Sequence, residues 1–140
     1  MERMLEYQKA VLFLKKNETS DIYKFLLEIG IKIMRNEPGM IMNSVSDLSG
    51  NPFYLGEILV TETEAELDGA VGYGMTFGNE KKKSVILAAI DIFINTGKKD
   101  LLEKMDKYFK KAIDRYTESI SEEERLVTGT KVNFGLMTEA

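Results

Sequence analysis

The sequence contains no histidine, no cysteine and no tryptophan, and it has only two prolines. Without imidazole or thiol side chains, the chain has no means of building a thiolate zinc site, a Ser-His-Asp triad or a cysteine nucleophile. Any chemistry must come from carboxylates, hydroxyls, lysines and backbone amides, or from another protein. We therefore expect no metal and no cofactor bound by this chain alone.

Long apolar runs are also missing. The longest, Val85–Ile90, ends at Asp91, whereas a helix that crosses a bilayer needs about 20 apolar residues. The first residues, Met1–Glu6, lack the basic start and apolar stretch of a signal peptide. A net charge of −4 gives no general attraction to nucleic acid or anionic lipid. We predict a cytoplasmic protein with neither nucleic-acid nor membrane partners.

The composition is that of a globular protein. Of the 140 residues, 44% are hydrophobic and 30% are charged. A chain of this length buries about two thirds of the surface that its unfolded form exposes, so it needs no disulfide or metal to hold its core together. We predict a single domain over residues 1–140.

The N-terminal part predicts two helices. Apolar residues recur at spacings of three and four over residues 2–16 and 20–29, which is the pattern of a helix face. Thr19 or Ser20 is expected to cap the second helix, and Gly30 is expected to end it.

From residue 31 to residue 77 the period changes to two, which predicts four antiparallel strands. Their turns are expected at Pro38-Gly39, at Ser49–Pro52 and at Asp68-Gly69. Threonines alternate with glutamates along the third strand, so we expect a sheet that is wet on one side. Small residues alternate with large ones along the fourth strand, and its small face predicts the close approach of another backbone. The small positions are Ala70, Gly72, Gly74 and Thr76, and the large ones are Val71, Tyr73, Met75 and Phe77.

The C-terminal part predicts two more helices and an extended arm. Asn79 is expected to cap the first and Gly97 to end it; the second starts near Asp100 and is expected to break near Ser121, which has the capping-box spacing with a glutamate. Residues 130–137 alternate like a strand. The predicted fold class is α+β, with two N-terminal helices, a four-stranded antiparallel meander, two C-terminal helices and an extended C-terminal arm.

Three lysines at the start of the third helix are the main candidate for binding an anion. Lys81, Lys82 and Lys83 occupy a first turn, where free amides and the helix dipole favour negative charge. Cations there cost about a few tenths of a kcal/mol each, which a bound phosphate or an acidic partner surface would offset. A solvated basic patch is the other interpretation. Gly78 and Glu57 complete this candidate set for anion or partner contact.

Other features predict less specific roles. Gly72, Gly74 and Gly78 do not have the spacing of a dinucleotide fingerprint or a P-loop. Glu37 and Glu57 are isolated carboxylates that the pattern does not place together as an acid-base pair. The C-terminal arm carries apolar side chains near a chain end, so we expect it to add a strand to its own sheet or to dock on a partner. Its candidate docking residues are Val132, Asn133, Phe134 and Met137.

Several segments over about residues 33–137 have a recognisable order and spacing: Met34-Arg35, Glu37, Gly39–Met42, Phe53–Thr61, Gly69, Gly72–Gly74, Gly78, Ala88–Asp91, Thr130–Phe134 and Met137. Together they resemble the PhnG family of phosphonate metabolism proteins, the G subunit of bacterial carbon-phosphorus lyase systems. At the start of the third helix, only Lys81 carries over from the family's pattern.

The resemblance implies a cytoplasmic subunit that assembles with H, I and J proteins. With its H and I partners and the L protein, the family supports displacement of adenine from ATP by methylphosphonate, giving α-D-ribose 1-methylphosphonate 5-triphosphate. The I subunit carries the nucleosidase-like chemistry in that family, and the J subunit the later cleavage of the carbon-phosphorus bond. No catalytic residue of the G subunit is implied, so the chain is expected to belong to a transferase without holding a complete active site.

Two other hypotheses remain open. In the first, the chain is a stand-alone anion or nucleotide binding module that uses the basic helix start. In the second, it is a scaffold that touches no ligand. Binding of ATP by the isolated chain discriminates the first of these from a subunit.

Overall fold

The computed structural model describes the backbone of residues 2–46, 49–50 and 52–139, and the side chains of residues 3–41, 49–50 and 56–122. Within these residues the elements are four α-helices, one 3-10 turn and a three-stranded antiparallel sheet. The predicted α+β class fits this architecture, whereas the predicted four-stranded meander is wrong. None of the helices in these ranges combines the length and apolar composition that crossing a bilayer requires.

The first N-terminal helix begins where predicted but ends earlier, and the second begins earlier than predicted. Helix α1 spans Glu2–Ala10, a 3-10 turn spans Val11–Phe13, and α2 spans Lys16–Glu28. The expected caps at Thr19 and Ser20 are wrong because the backbone N–H of Lys15 already donates to Glu18 Oε1 at 2.8 Å and opens the helix there. Gly30 does end α2, with a positive φ that lets Ile31 N–H reach the Leu26 carbonyl at 3.1 Å.

The sheet has the order β1-β2-β3, with β1 at Lys32–Ser46, β2 at Pro52–Leu67 and β3 at Ala70–Phe77. Asp68 and Gly69 both have positive φ and form the predicted turn between β2 and β3. Pro38-Gly39 does not turn the chain, since both residues stay paired with β2, opposite Thr61 and Val60. A proline without an N–H is tolerated here because β1 is an edge strand.

Helix α3 spans Lys81–Asn95 and starts without the predicted side-chain cap. Asn79 lies two residues before it, and the Thr61 hydroxyl takes the capping role instead by accepting from Glu80 N–H at 3.0 Å and donating to the Gly78 carbonyl at 2.6 Å. Gly97 ends the helix as predicted, with a positive φ and a Lys98 N–H that donates to the Phe93 carbonyl at 3.0 Å.

Helix α4 spans Lys99–Glu139, so the predicted break at Ser121 and the extended arm over residues 130–137 are both wrong. An extended arm needs a neighbouring strand for its backbone N–H groups, whereas a helix satisfies them internally. The chain's two prolines lie upstream of α4, so no proline interrupts it. The side chains of the proposed docking residues Val132, Asn133, Phe134 and Met137 lie outside the described part, and their docking role stays a prediction.

The core lies around α3, which is the middle of three layers. One side of α3 packs on the sheet, and the other side packs on α1, α2 and α4. Every residue from Ser84 to Ile90 is buried, as are Ile92 and Phe93, which is expected of a helix that is apolar around its whole circumference. The Tyr7 and Phe109 rings pack edge to face with their centroids 5.0 Å apart, and they join α1 to α4 in the outer layer.

Polar contacts also tie the helical layer together. Arg115 of α4 donates to both carboxylate oxygens of Glu18, at 2.6 and 3.1 Å, and to the Phe13 carbonyl at 2.8 Å. Arg3 and Tyr7 of α1 both contact Asp106 of α4. Burial is the main cause that raises the pKa of Tyr7 above its usual range. These contacts fix α1 and the start of α2 on α4.

Helix α3 reaches the sheet through the glycines of β3. A Cβ at Gly74 would lie 2.3 Å from the Ser84 carbonyl oxygen, and a Cβ at Gly72 would lie 2.3 Å from the Ala88 carbonyl oxygen. The small face of β3 is therefore buried against α3, as its glycines predicted. In consequence the large side chains of β3 point away from the core.

Candidate functional site

An open cleft of about 630 Å³ lies where α2 and α3 begin. Both helices direct free backbone amides and the positive end of their dipoles toward this end of the fold. The lining residues are Leu14, Lys16, Thr19, Ser20, Asn79, Glu80, Lys81, Lys82 and Lys83. Two helix starts and four lysines make the cleft electropositive, with one carboxylate, Glu80, among its lining.

The three lysines predicted for anion or partner contact all line this cleft. Lys81 and Lys82 are exposed and Lys83 is half-buried. Lys82 Nζ lies 5.5 Å from the centre of the Tyr23 ring on α2. Lys16 joins them from α2. Sequence reasoning missed it because the predicted boundaries placed Lys16 at the end of the first helix, whereas it lies in the first turn of α2.

The other two residues of the predicted set lie elsewhere. Gly78 lies between β3 and α3 with a positive φ, and its N–H donates to the Leu59 carbonyl at 2.8 Å. It shapes the entry into α3. Glu57 is exposed on β2 opposite Met42, in the part of the hairpin that runs beyond β3. The structure therefore does not bring Glu57 together with the lysines.

Buried hydroxyl groups hold the start of α3 on the sheet. Ser84 Oγ lies 2.7 Å from Thr63 Oγ1, 3.1 Å from the Thr61 carbonyl oxygen and 3.1 Å from the Gly74 carbonyl oxygen. Ser84, Thr61 and Thr63 are all fully buried. At the rim, Asn36 donates to the Lys81 carbonyl at 3.4 Å, and its buried Oδ1 has no hydrogen-bond partner in the described part of the chain. The helix start is thereby fixed relative to β2 and β3.

A charged cluster lies on the opposite face of the sheet. The Arg35 guanidinium donates to Glu37 at 2.9 Å and to Glu62 and Glu64 at 3.3 Å. The Tyr73 hydroxyl donates to Glu62 at 2.7 Å and, together with Arg35, holds the pKa of Glu62 below its usual value. We refer to Arg35, Glu37, Glu62 and Glu64 as the acidic cluster, because three carboxylates surround one cation.

The acidic cluster was only partly visible in the sequence. The glutamates of β2 were predicted to lie on a wet face, and they are partly exposed while Thr61, Thr63 and Ala65 between them are buried. The role of Arg35 was missed because it depends on the register that sets β1 against β2. Glu37 lies opposite Glu62, five pairs from Glu57, so Glu37 and Glu57 do not form an acid-base pair. Within the described residues, no group of three or more acidic side chains is arranged to hold a metal ion.

The large side chains of β3 form a row on the same outer face. Val71 is 59% exposed, Tyr73 43% and Phe77 55%, while Met75 is partly buried. We refer to these four residues as the β3 row. Phe77 lies opposite Val60, and Tyr73 lies opposite Glu64 of the acidic cluster. Sequence periodicity identified the alternation along β3 correctly, but it did not show that the apolar half faces outward.

Comparison with known proteins identifies the family of this chain. A sequence model of the family described as phosphonate metabolism protein PhnG matches residues 8–139. The chain belongs to the PhnG family. A search of curated proteins finds none that matches it. PhnG membership shows involvement in phosphonate metabolism, and it confirms the resemblance that the sequence indicated. It is also consistent with a subunit of a hetero-oligomer.

Proposed function

We propose that this PhnG-family chain is a non-catalytic or co-catalytic subunit of the carbon-phosphorus lyase system in the cytoplasm. With H, I and L partners it supports the reaction of ATP with methylphosphonate that gives α-D-ribose 1-methylphosphonate 5-triphosphate. A phosphonate oxygen forms the new bond to the ribose carbon, the bond from that carbon to adenine breaks, and adenine takes up a proton as it leaves. ATP is then a substrate of the assembled transferase rather than a cofactor of this chain.

The observation that carries this proposal is the exposed β3 row. Contiguous apolar patches are uncommon on the surface of soluble monomers and often mark a protein interface. The chain has no imidazole and no thiol. By its resemblance to the family, the nucleosidase-like step belongs to the I subunit and the later radical step to the J subunit. The role left for this chain is to complete and position the assembly.

Co-expression with the I subunit tests the proposal. We expect the two proteins to co-purify in equal amounts and to elute together in size-exclusion chromatography. An unrelated tagged protein expressed with the same chain is the control for nonspecific capture. If the chain elutes alone as a monomer while the I subunit is folded and present, the proposed function is wrong.

The cleft at the start of α3 favours a second candidate, a stand-alone anion or nucleotide binding module. Its lysines come from two helix starts that face one space, and such starts favour negative charge. Calorimetry of the isolated chain with ATP and with methylphosphonate tests this alternative. Binding that disappears when Lys81, Lys82 and Lys83 are all changed to Ala supports the module.

The matched control for that experiment is the same triple change at exposed lysines of α4, namely Lys107, Lys110 and Lys111. It removes the same charge from another surface. Equal loss of binding in both triple variants would indicate a general charge effect, and absence of heat with the unchanged chain would exclude the module.

A further inference from the structure

Three residues of the β3 row, Tyr73, Met75 and Phe77, also line a groove. Leu5 and Leu12, which are 50% and 49% exposed, lie across from β3. Together with Gln8 and Lys9 they form one wall of a groove of about 360 Å³, and Tyr73, Met75 and Phe77 form the other wall. We refer to it as the α1-β3 groove. Apolar side chains on both walls make it suited to receiving apolar side chains of another molecule.

The edge of β3 limits the ways in which another chain can bind at the groove. An open edge strand is able to accept an added strand through its backbone groups. Here the N–H of Tyr73, in the middle of β3, donates to Asp91 Oδ2 of α3 at 3.0 Å. That amide is not available to an incoming strand. Insertion of side chains between the walls therefore fits the groove better than extension of the sheet.

Charge beside the groove selects the occupant. Tyr73 lines the groove and donates to Glu62, so the acidic cluster directly adjoins it. Three carboxylates around the single guanidinium of Arg35 leave this part of the face net negative. Complementary charge at an interface speeds association and selects the partner. A second copy would bring a second acidic cluster to the same interface, which disfavours self-association through this face.

We propose that the α1-β3 groove and the acidic cluster together bind a segment of the I subunit. That segment inserts apolar side chains into the groove and places a lysine or arginine against the cluster. This inference rests on the proposed function and adds the docking surface and the chemistry of the docked segment. The cleft lined by Lys81, Lys82 and Lys83 shares no lining residue with this groove.

The test uses the full chain co-expressed with the I subunit and measures the dissociation constant of the purified complex. L5D and F77S are expected to weaken binding by about tenfold or more, because truncated or charged groove residues no longer fill the interface. The matched control is L27D, since Leu27 is a helical leucine of similar exposure, 46%, on α2. Circular dichroism and thermal unfolding verify that each variant is folded.

The charged part is tested by the double variant E62Q/E64Q. We expect binding to weaken several-fold at low salt and less at high salt, because screening reduces the contribution of exposed charges. The control double variant, E103Q/E118Q, removes the same charge from exposed positions of α4. It is expected to bind like the unchanged chain.

The outcomes separate the two proposals. If the unchanged chain does not bind the I subunit, the proposed function fails and the docking surface fails with it. If the unchanged chain binds while L5D and F77S bind equally well, or no worse than L27D, only the docking surface is overturned. A chain that sediments alone as a dimer, and becomes a monomer in L5D, would assign the groove to a second copy and would also overturn the inference.

Discussion

The two faces of the sheet differ in what their side chains contact. On the inner face, Gly72 and Gly74 lie directly under the backbone of α3, and Thr61 and Thr63 are buried beneath its first turn. On the outer face, Tyr73 and Phe77 remain largely exposed beside glutamates. In β3, therefore, the small residues are buried and most of the large ones are exposed. The inner face holds the fold together, and the outer face leaves apolar side chains exposed.

Truncating a buried phenylalanine and an exposed one gives the largest expected difference in the free energy of unfolding. Phe93 on α3 is fully buried, whereas Phe77 is 55% exposed. We expect F93A to lower the free energy of unfolding by about 3–5 kcal/mol because it leaves a cavity in the core. F77A is expected to lower it by less than about 1 kcal/mol. Urea denaturation of the isolated chain measures both, and equal losses would place Phe77 in the core.

A methyl group added at a glycine tests the inner face directly. G74A places a Cβ 2.3 Å from a backbone oxygen of α3, so the helix must shift, and we expect a loss of about 3 kcal/mol in the free energy of unfolding. The matched variant is G39A, whose Cβ would meet the nearest heavy atom, Glu62 Oε2, at 3.6 Å. It is expected to change stability by about 0.5 kcal/mol or less. Thermal unfolding of both variants measures the difference. If G74A is as stable as G39A, the close approach of α3 to Gly74 does not limit the side chain there.

The sequence predicted which residues share a face of the sheet better than it predicted the number of strands and their ends. Alternation along β2 and β3 identified which residues share a face, and Asp68-Gly69 identified their turn, because both signals are local. Pro38-Gly39 has the local signal of a turn as well, but pairing with β2 keeps β1 extended through it. Whether Pro38-Gly39 turns or stays extended depends on its pairing with β2, which is distant in sequence and cannot be read from local composition.

The candidate site shows the same division. Lys81, Lys82 and Lys83 were predicted together because one helix turn contains them, whereas Lys16 and the acidic cluster depend on tertiary packing and strand register. The outward direction of the β3 row follows from the approach of α3 to Gly72 and Gly74. A hydrophobicity pattern alone favours the opposite orientation, since apolar residues are more often buried.

Removal of a buried hydroxyl gives a smaller effect on the inner face. S84A leaves the Thr63 hydroxyl and two backbone carbonyls near it without their contact to Ser84. Loss of such a buried partner costs about 1–3 kcal/mol in the free energy of unfolding. S121A on α4 is the control, because Ser121 is exposed on a helix and alanine is the better helix former. Equal stability of S84A and S121A in urea would show that the hydroxyl contacts contribute nothing.

Acidification gives the smallest effect and acts on the outer face. The pKa of Glu62 is lowered first by the Tyr73 hydroxyl and then by Arg35. A carboxylate whose pKa is lower in the folded state contributes stability above its unfolded pKa, and this contribution is lost as the pH falls through the folded value. E62Q and Y73F should therefore lose less stability than the unchanged chain between pH 7 and pH 3. Because both act on one hydrogen bond, their effects should not add in the double variant. Additive effects, or an E62Q variant with the unchanged pH dependence in urea titrations, would contradict the coupling of Tyr73 to the acidic cluster.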